Sequence, residues 1–346
     1  MKRKSMEILS LASRRMLLLA LLSLPMLLVT AGCQKKQVAA SQHETVTITS
    51  LNGSRQAVPV EVPLNPQRVA VLDMAALDIL DKLGLGDRVV GCAATSLEYL
   101  EKYPQRQGMA NLGTIKTADM EAVMECRPQL IFIGGRLASS YDDLSRIAPV
   151  VYLQIDSQLG VFESVKANAA TIATIFGLQD TATQIMDGYH SRIAALQQES
   201  QGKTALIALC TNGGLNILGD QGRCSIIGRE IGFANLGNGY AAQREAAKAA
   251  RSTAANSSHG NEISFEYIMA NDPDYLFVLD RDAAIGTNGA KLARDIVENE
   301  LIMDTTVYRN GNIVYLNHPG IWYTAEGGIT ALDYMLKDIE SAILPE

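Results

Sequence analysis

The sequence predicts an α/β protein built from two related lobes joined by a long helical segment, and three observations carry that expectation. The first is an internal repeat: Glu121, Met124, Pro128 and Phe132 recur in register as Glu266, Met269, Pro273 and Phe277, 145 residues later. The second is what each copy spells out. A short helical stretch is stopped by the proline, and an apolar run follows (residues 129–133 and 274–278), as in a strand buried on both faces of a parallel sheet. The third lies between the copies. Residues 162–176 and 181–198 carry apolar side chains at three- and four-residue spacings, separated by Gly177, and read as two helical pieces of a connector.

The remaining elements follow the same duplication. Each half opens on a strand-like run, Val69–Leu72 in the first and Ala205–Leu209 in the second. Val150–Leu153 in turn pairs with Ile313–Leu316. Apolar strands of this kind need helices on both faces, which makes the lobes Rossmann-like. The boundaries expected are residues 45–160 for the N-terminal lobe, 161–202 for the linking helices and 203–346 for the C-terminal lobe.

The first 44 residues read as an address rather than as fold. Lys2, Arg3, Lys4, Arg14 and Arg15 precede an uncharged apolar run, Met16–Ala31, which ends in Thr30-Ala31-Gly32-Cys33. That run is shorter than the about 20 residues of a spanning helix and suits a secretory signal. Small residues before a cysteine resemble a bacterial lipobox, so residues 1–32 are expected to be removed and Cys33 lipidated. Thr30 stands where leucine is usual. Residues 33–44 then form a polar tether, and the mature chain is expected outside the cytoplasm, anchored to the membrane surface. In such an oxidising compartment Cys92, Cys126, Cys210 and Cys224 could pair or remain buried thiols.

Composition excludes several functions. With 30 Lys+Arg against 37 Asp+Glu the chain carries a formal charge of −7, which argues against a nucleic-acid binder. The cysteines contain no CxxC, and G-x-S-x-G, H-E-x-x-H and Walker A motifs are absent. Nothing in the carboxylate spacing selects a general acid–base pair.

What remains are cations at strand ends. Arg136 and Arg281 follow the repeated strands, again 145 residues apart. In open α/β sheets ligands bind beyond the carboxyl ends of the strands, so facing lobes would bring both to one cleft. Arg223, in Gly222-Arg223-Cys224-Ser225, is expected before a helix starting near Ser225. Forked, permanently charged guanidinium groups suit carboxylate, phosphate or phenolate oxygens. Trp322 and Tyr323 follow the last strand, and His259 lies in a polar, Ala-rich stretch. Phenolate and imidazole could ligate ferric iron, with His318 a competing ligand. Trp322-Tyr323 could also be an aromatic cap on the core; Trp322 is assigned to the ligand.

These residues resemble a known family, the substrate-binding lipoproteins of iron-siderophore and cobalamin ABC importers. The resemblance covers roughly residues 45–346 and is narrowest toward receptors for catecholate siderophores, among them those for petrobactin and enterobactin fragments. It rests on the Cys33 lipobox, the paired Glu-to-Pro units, the linking helix, and the motifs Gly135-Arg136 with Tyr141-Asp142, Gly222-Arg223, His259-Gly260, Asp280-Arg281 and Trp322-Tyr323. The family implies two lobes with little relative movement, no intrinsic cofactor and a ferric siderophore as cargo. It further implies that Arg136, Arg223 and Arg281 hold anionic catecholates and that His259 and Tyr323 complete the iron shell. Glu121 and Glu266 would dock the lobes onto a permease served by an ATPase, with the chain acting as a monomer. Two departures fall near His259: residues 241–258 are longer than usual, and Ser258 stands where a basic residue is common.

Two other readings accompany this one. The same fold could carry haem, with Tyr323 or His259 axial and the arginines on propionates. Cobalamin gives three cations no purpose. An extracytoplasmic enzyme would have to use His259 with a carboxylate such as Glu262, without a readable nucleophile or metal triad.

Overall fold

In a computed structural model of the chain, residues 44–240 and 260–344 are described, the side chains of 260–264 excepted. Cys33 and His259 therefore lie outside the described residues. The fold begins with an antiparallel hairpin, β1 (Thr45–Leu51) and β2 (Ala57–Pro63), paired from Thr45 with Pro63 to Leu51 with Ala57. The first lobe then follows as β3 (Val69–Val71), α1 (Met74–Lys82), β4 (Val89–Cys92), β5 (Ala110–Asn111), α2 (Met120–Glu125), β6 (Leu130–Ile133) and β7 (Val150–Tyr152). Its sheet has the order β5-β4-β3-β6-β7, with every pair parallel.

Two helices connect it to the second lobe, α3 (Val161–Phe176) and α4 (Gln179–Ser200). They meet where the sequence places the break: Gly177 adopts φ 71°, and its N–H caps α3 by donating to the Ala173 carbonyl. The second lobe comprises β8 (Thr204–Thr211), β9 (Gly214–Leu218), β10 (Ala234–Asn235), α5 (Gly260–Asn271), β11 (Tyr275–Asp280), α6 (Arg281–Ala284), β12 (Ile313–Tyr315), α7 (Pro319–Thr324) and α8 (Ile329–Ile343). Its sheet runs β10-β8-β11-β12 in parallel, and β9 folds back antiparallel on β8.

The repeat is therefore topological as well as sequential. In each lobe the repeated strand, β6 or β11, lies between the opening strand, β3 or β8, and the following strand, β7 or β12. Leu130–Ile133 and Leu276–Leu279 are buried throughout, as a strand covered on both faces requires. The repeat extends to the backbone. Arg127 at φ 45° and Asp272 at φ 34° are 145 residues apart, and each immediately precedes the repeated proline. A following proline disfavours the right-handed helical conformation, so the helix ends there and the chain turns sharply into the strand.

One boundary differs from the sequence expectation. The second lobe, taken as 203–346, includes α8, yet α8 packs against α1, α3 and α4. The reason is chemical as well as apolar. Asp78 of α1 accepts from Thr330 N at 2.7 Å and Ala331 N at 2.8 Å, capping α8, while Arg192 of α4 grips Glu340 (2.6 and 2.7 Å) and Asp333 (2.5 Å). Gly328 permits the approach, since a Cβ there would overlap the Asp78 carboxylate. The helix therefore belongs to a linking layer with α3 and α4. Cys92, Cys126, Cys210 and Cys224 are buried free thiols, with burial pushing Cys92 up to about 11 and Cys210 up to about 12.

Candidate functional site

Arg136 stands just past β6, in a turn that Gly134 makes possible. A Cβ at Gly134 would collide with the carboxylate of Asp73, which caps α1 by accepting from Ala76 N at 2.9 Å. Arg281 occupies the matching place beyond β11, where Asp280 caps α6 through Ala283 N at 2.9 Å. Arg223 arrives from a loop after β9. The helix expected from Ser225 is a single turn, Ile226–Arg229, without a side-chain cap, so Arg223 acts through its own charge rather than through a helix dipole.

All three cations converge on Tyr323 of α7. Arg136 Nη2 and Arg223 Nη2 donate to the Tyr323 carbonyl at 3.2 and 3.3 Å. Arg281 Nε donates to the phenol oxygen at 3.4 Å, and its Nη1 also donates to Thr211 Oγ1 at 3.2 Å and Asp282 Oδ1 at 3.1 Å. The Arg223 guanidinium lies 4.1 Å from the Tyr323 ring centre and that of Arg281 5.9 Å, both within cation–π range. Burial would raise the Tyr323 phenol. The hydrogen bond from Arg281 and the charges of Arg223, Arg281 and Arg136 outweigh it and hold the phenol below its ordinary range.

A cavity of about 150 Å³ opens beside this cluster, lined by Arg136, Arg223 and Tyr323 together with Asp73, Gln154 and Glu326. Sequence reasoning missed Asp73, Glu326, Thr211 and Asp282. The acids had a local signal: Asp73 follows an apolar strand, where a helix cap is expected, and Glu326 interrupts an apolar stretch just before Gly327-Gly328. Burial pushes Asp73 upward despite Ala76 N–H and Arg136, and pushes Glu326 up to about 7 despite Cys224 N–H and Arg223.

Trp322, expected at the ligand, is not there. It has no exposed surface, and its Nε1 donates to Asp338 at 2.9 Å, inside the core. Successive helical residues point about 100° apart, so Tyr323 reaches the cleft while its neighbour faces α8. His318 also turns away. Its Nδ1 lies 2.7 Å from Asp338 Oδ1 and its ring packs on Tyr334, in a separate cavity of about 450 Å³ that includes Tyr99 and Glu98. Glu121 and Glu266 are exposed on α2 and α5. A larger cavity of about 680 Å³ sits at the amino ends of the first sheet, opposite to where ligands enter such sheets. Its arginines are occupied: Arg68 donates to the Cys126 and Arg127 carbonyls, and Arg106 to those of Gly86 and Val89.

Known proteins resemble this chain in sequence and in fold. Petrobactin-binding protein YclQ of Bacillus subtilis (strain 168) is 33% identical over 286 residues, 82% of this chain and 84% of that protein. Its crystal structure matches with a TM-score of 0.74 at 31% identity, over 88% of this chain and 100% of that one. Ferric-anguibactin-binding protein FatB of Vibrio anguillarum (strain ATCC 68554 / 775) is 28% identical over 320 residues, covering 90% and 93% of the two chains. The periplasmic catecholate-siderophore binding protein VctP of Vibrio cholerae matches with a TM-score of 0.71 at 28% identity, over 86% of this chain and 100% of that one. These relatives are binding proteins, not enzymes. With residues 69–319 also matching the family's own sequence profile, the chain belongs to the periplasmic binding protein family.

Proposed function

We propose that the chain is an extracytoplasmic receptor of an ABC importer, lipid-anchored through Cys33, which captures a ferric catecholate-type siderophore between its lobes and delivers it to a membrane permease. The observation that carries this reading is the convergence of Arg136, Arg223 and Arg281 on Tyr323. A ferric catecholate is a compact anion with its charge spread over phenolate oxygens. Each charge-assisted hydrogen bond to a fixed guanidinium is worth about 1.5–3 kcal/mol. The protein as a whole is negative, so this attraction is confined to the cleft.

The cargo's chemistry also suits Tyr323. Ferric iron prefers hard oxygen donors, and a phenol held below its ordinary range can supply one where a chelate leaves iron incompletely ligated. A cavity of about 150 Å³ is below the about 300–1,000 Å³ of enclosed small-molecule sites, so one face of the chelate enters and the rest occupies the cleft mouth. The relatives named for petrobactin, anguibactin and catecholate siderophores support the choice of ligand. Exposed Glu121 and Glu266, in register on the two lobes, are the residues we assign to permease docking.

The test is a parallel titration with a ferric tris-catecholate, haemin and cobalamin. The catecholate is expected to bind and the other two not. A Soret band with haemin that disappears in Tyr323→Phe would replace this reading with haem transport.

A further inference from the structure

The cavity that receives the arginines also contains a carboxyl group with no role in the reading above. Glu326 lies in the turn between α7 and α8, and its Oε1 accepts from Cys224 N at 3.0 Å. Cys224 adopts φ 63°, a left-handed conformation that non-glycine residues rarely hold without a specific partner. Its neighbour Arg223 is the cation stacked on Tyr323, and the Arg223 Nε is buried without a hydrogen-bond partner among the described residues. The guanidinium is thus placed by its backbone, by its bond to the Tyr323 carbonyl and by the ring it covers, and that backbone is pinned by Glu326.

The same carboxyl is a negative charge on the wall of an anion site. Asp73 and Glu326 line the cavity with Arg136, Arg223 and Tyr323; Arg223, Glu230 and the buried Cys224 thiol are the other ionisable groups that act on Glu326. A ligand bound there meets both Arg136 and Arg223 and this acid.

We propose that Glu326 is the specificity-setting residue of the cleft: it holds the Gly222–Cys224 turn that presents Arg223, and its charge limits how strongly the cleft takes highly anionic chelates. This rests on the anion-binding reading of the site. The two roles separate by substitution. Glu326→Gln keeps an oxygen to accept from Cys224 N but removes the charge. Glu326→Ala removes both.

The experiment is isothermal titration at pH 8 of the full mature chain and both variants with two ferric chelates, the trianionic tris-catecholate and a neutral tris-hydroxamate. Circular dichroism melts establish that the variants are folded. Glu326→Gln is expected to tighten the trianion about tenfold, the order of one charge acting on three across about 10 Å of water-like dielectric, and to leave the neutral chelate unchanged. Glu326→Ala is expected to weaken the trianion relative to Glu326→Gln, because the turn is released. If Glu326→Gln fails to tighten the trianion, or shifts both chelates equally, Glu326 is only structural and the proposal is overturned. If the wild-type chain binds no ferric catecholate, the reading of the site falls together with it; wild-type binding without a charge effect overturns this inference alone.

Discussion

The two lobes carry the same scaffold but hold their shared features differently. Each places an arginine just beyond its repeated strand. Arg281 is fixed within its own lobe by Thr211 and Asp282 and reaches the Tyr323 phenol, whereas Arg136 is exposed and, among the described residues, hydrogen-bonds to the Tyr323 carbonyl of the other lobe alone. Each lobe also sends a carboxylate to a helix of the linking layer. Asp78 of the first lobe caps α8 with both oxygens and accepts from Tyr99 as well, at 2.7 Å. Glu230 of the second caps α3 with one oxygen, through Phe162 N at 3.1 Å, and its Oε2 is buried without a hydrogen-bond partner among the described residues. Like positions are thus held with unlike firmness, and their neighbours decide how firmly. One cation is preorganised and the other is recruited from across the cleft; one brace is complete and the other is half made.

The largest expected effect breaks the comparison of the braces. Asp78→Ala would leave Thr330 N, Ala331 N and the Tyr99 hydroxyl without their acceptor, at a cost of about 3 kcal/mol in unfolding free energy. Glu230→Ala is expected to cost only about 1 kcal/mol, since the loss of its bonds to the start of α3 is offset by removing a buried, unpaired oxygen. Urea denaturation measures both, and equal losses would contradict the asymmetry.

The cations sharpen it next. Arg281→Gln should weaken a ferric catecholate about 30-fold, because a preorganised charge loses little freedom on binding. Arg136→Gln should weaken it about fivefold, since that exposed side chain must be ordered first. Fluorescence titration distinguishes the two, and a larger loss at Arg136 would reverse the assignment.

A further effect concerns pH. Glu326 has a folded value of about 7 against 4.5 for an unperturbed glutamate. Its ionised form is therefore disfavoured by folding: stability is highest below about 4.5 and falls as pH rises through about 7. The wild-type chain should melt a few degrees below Glu326→Gln at pH 8 and draw level with it only below about pH 4.5. A gap that does not change with pH would mean that the carboxyl is not burdened by burial.

Much of this arrangement was legible in the sequence because it is local or repeated. Periodicity marked the linking helices, the prolines marked the strand starts, and a fixed offset selected Arg136 and Arg281. What escaped depends on direction and on distant partners. Trp322 and Tyr323 are neighbours in the chain, yet a helical turn sends one to Asp338 in the core and the other to the cleft. The return of α8 to the first lobe depends on Asp78, some 250 residues earlier, and no local pattern encodes it. The four thiols, open to pairing on composition, are separately buried in sheets and turns. Glu326 stood out as an acid among apolar and glycine residues, but its partner, Cys224 N, is a backbone group that only the fold brings near.

Whether guanidinium groups from both lobes act together on one anion is most directly measured by titrating a ferric tris-catecholate into the wild-type chain and into the combined Arg136→Gln, Arg223→Gln, Arg281→Gln variant, following the quenching of Trp322. The wild-type chain should bind and the folded triple variant should show no saturable quenching. Undiminished affinity in the triple variant would contradict the account.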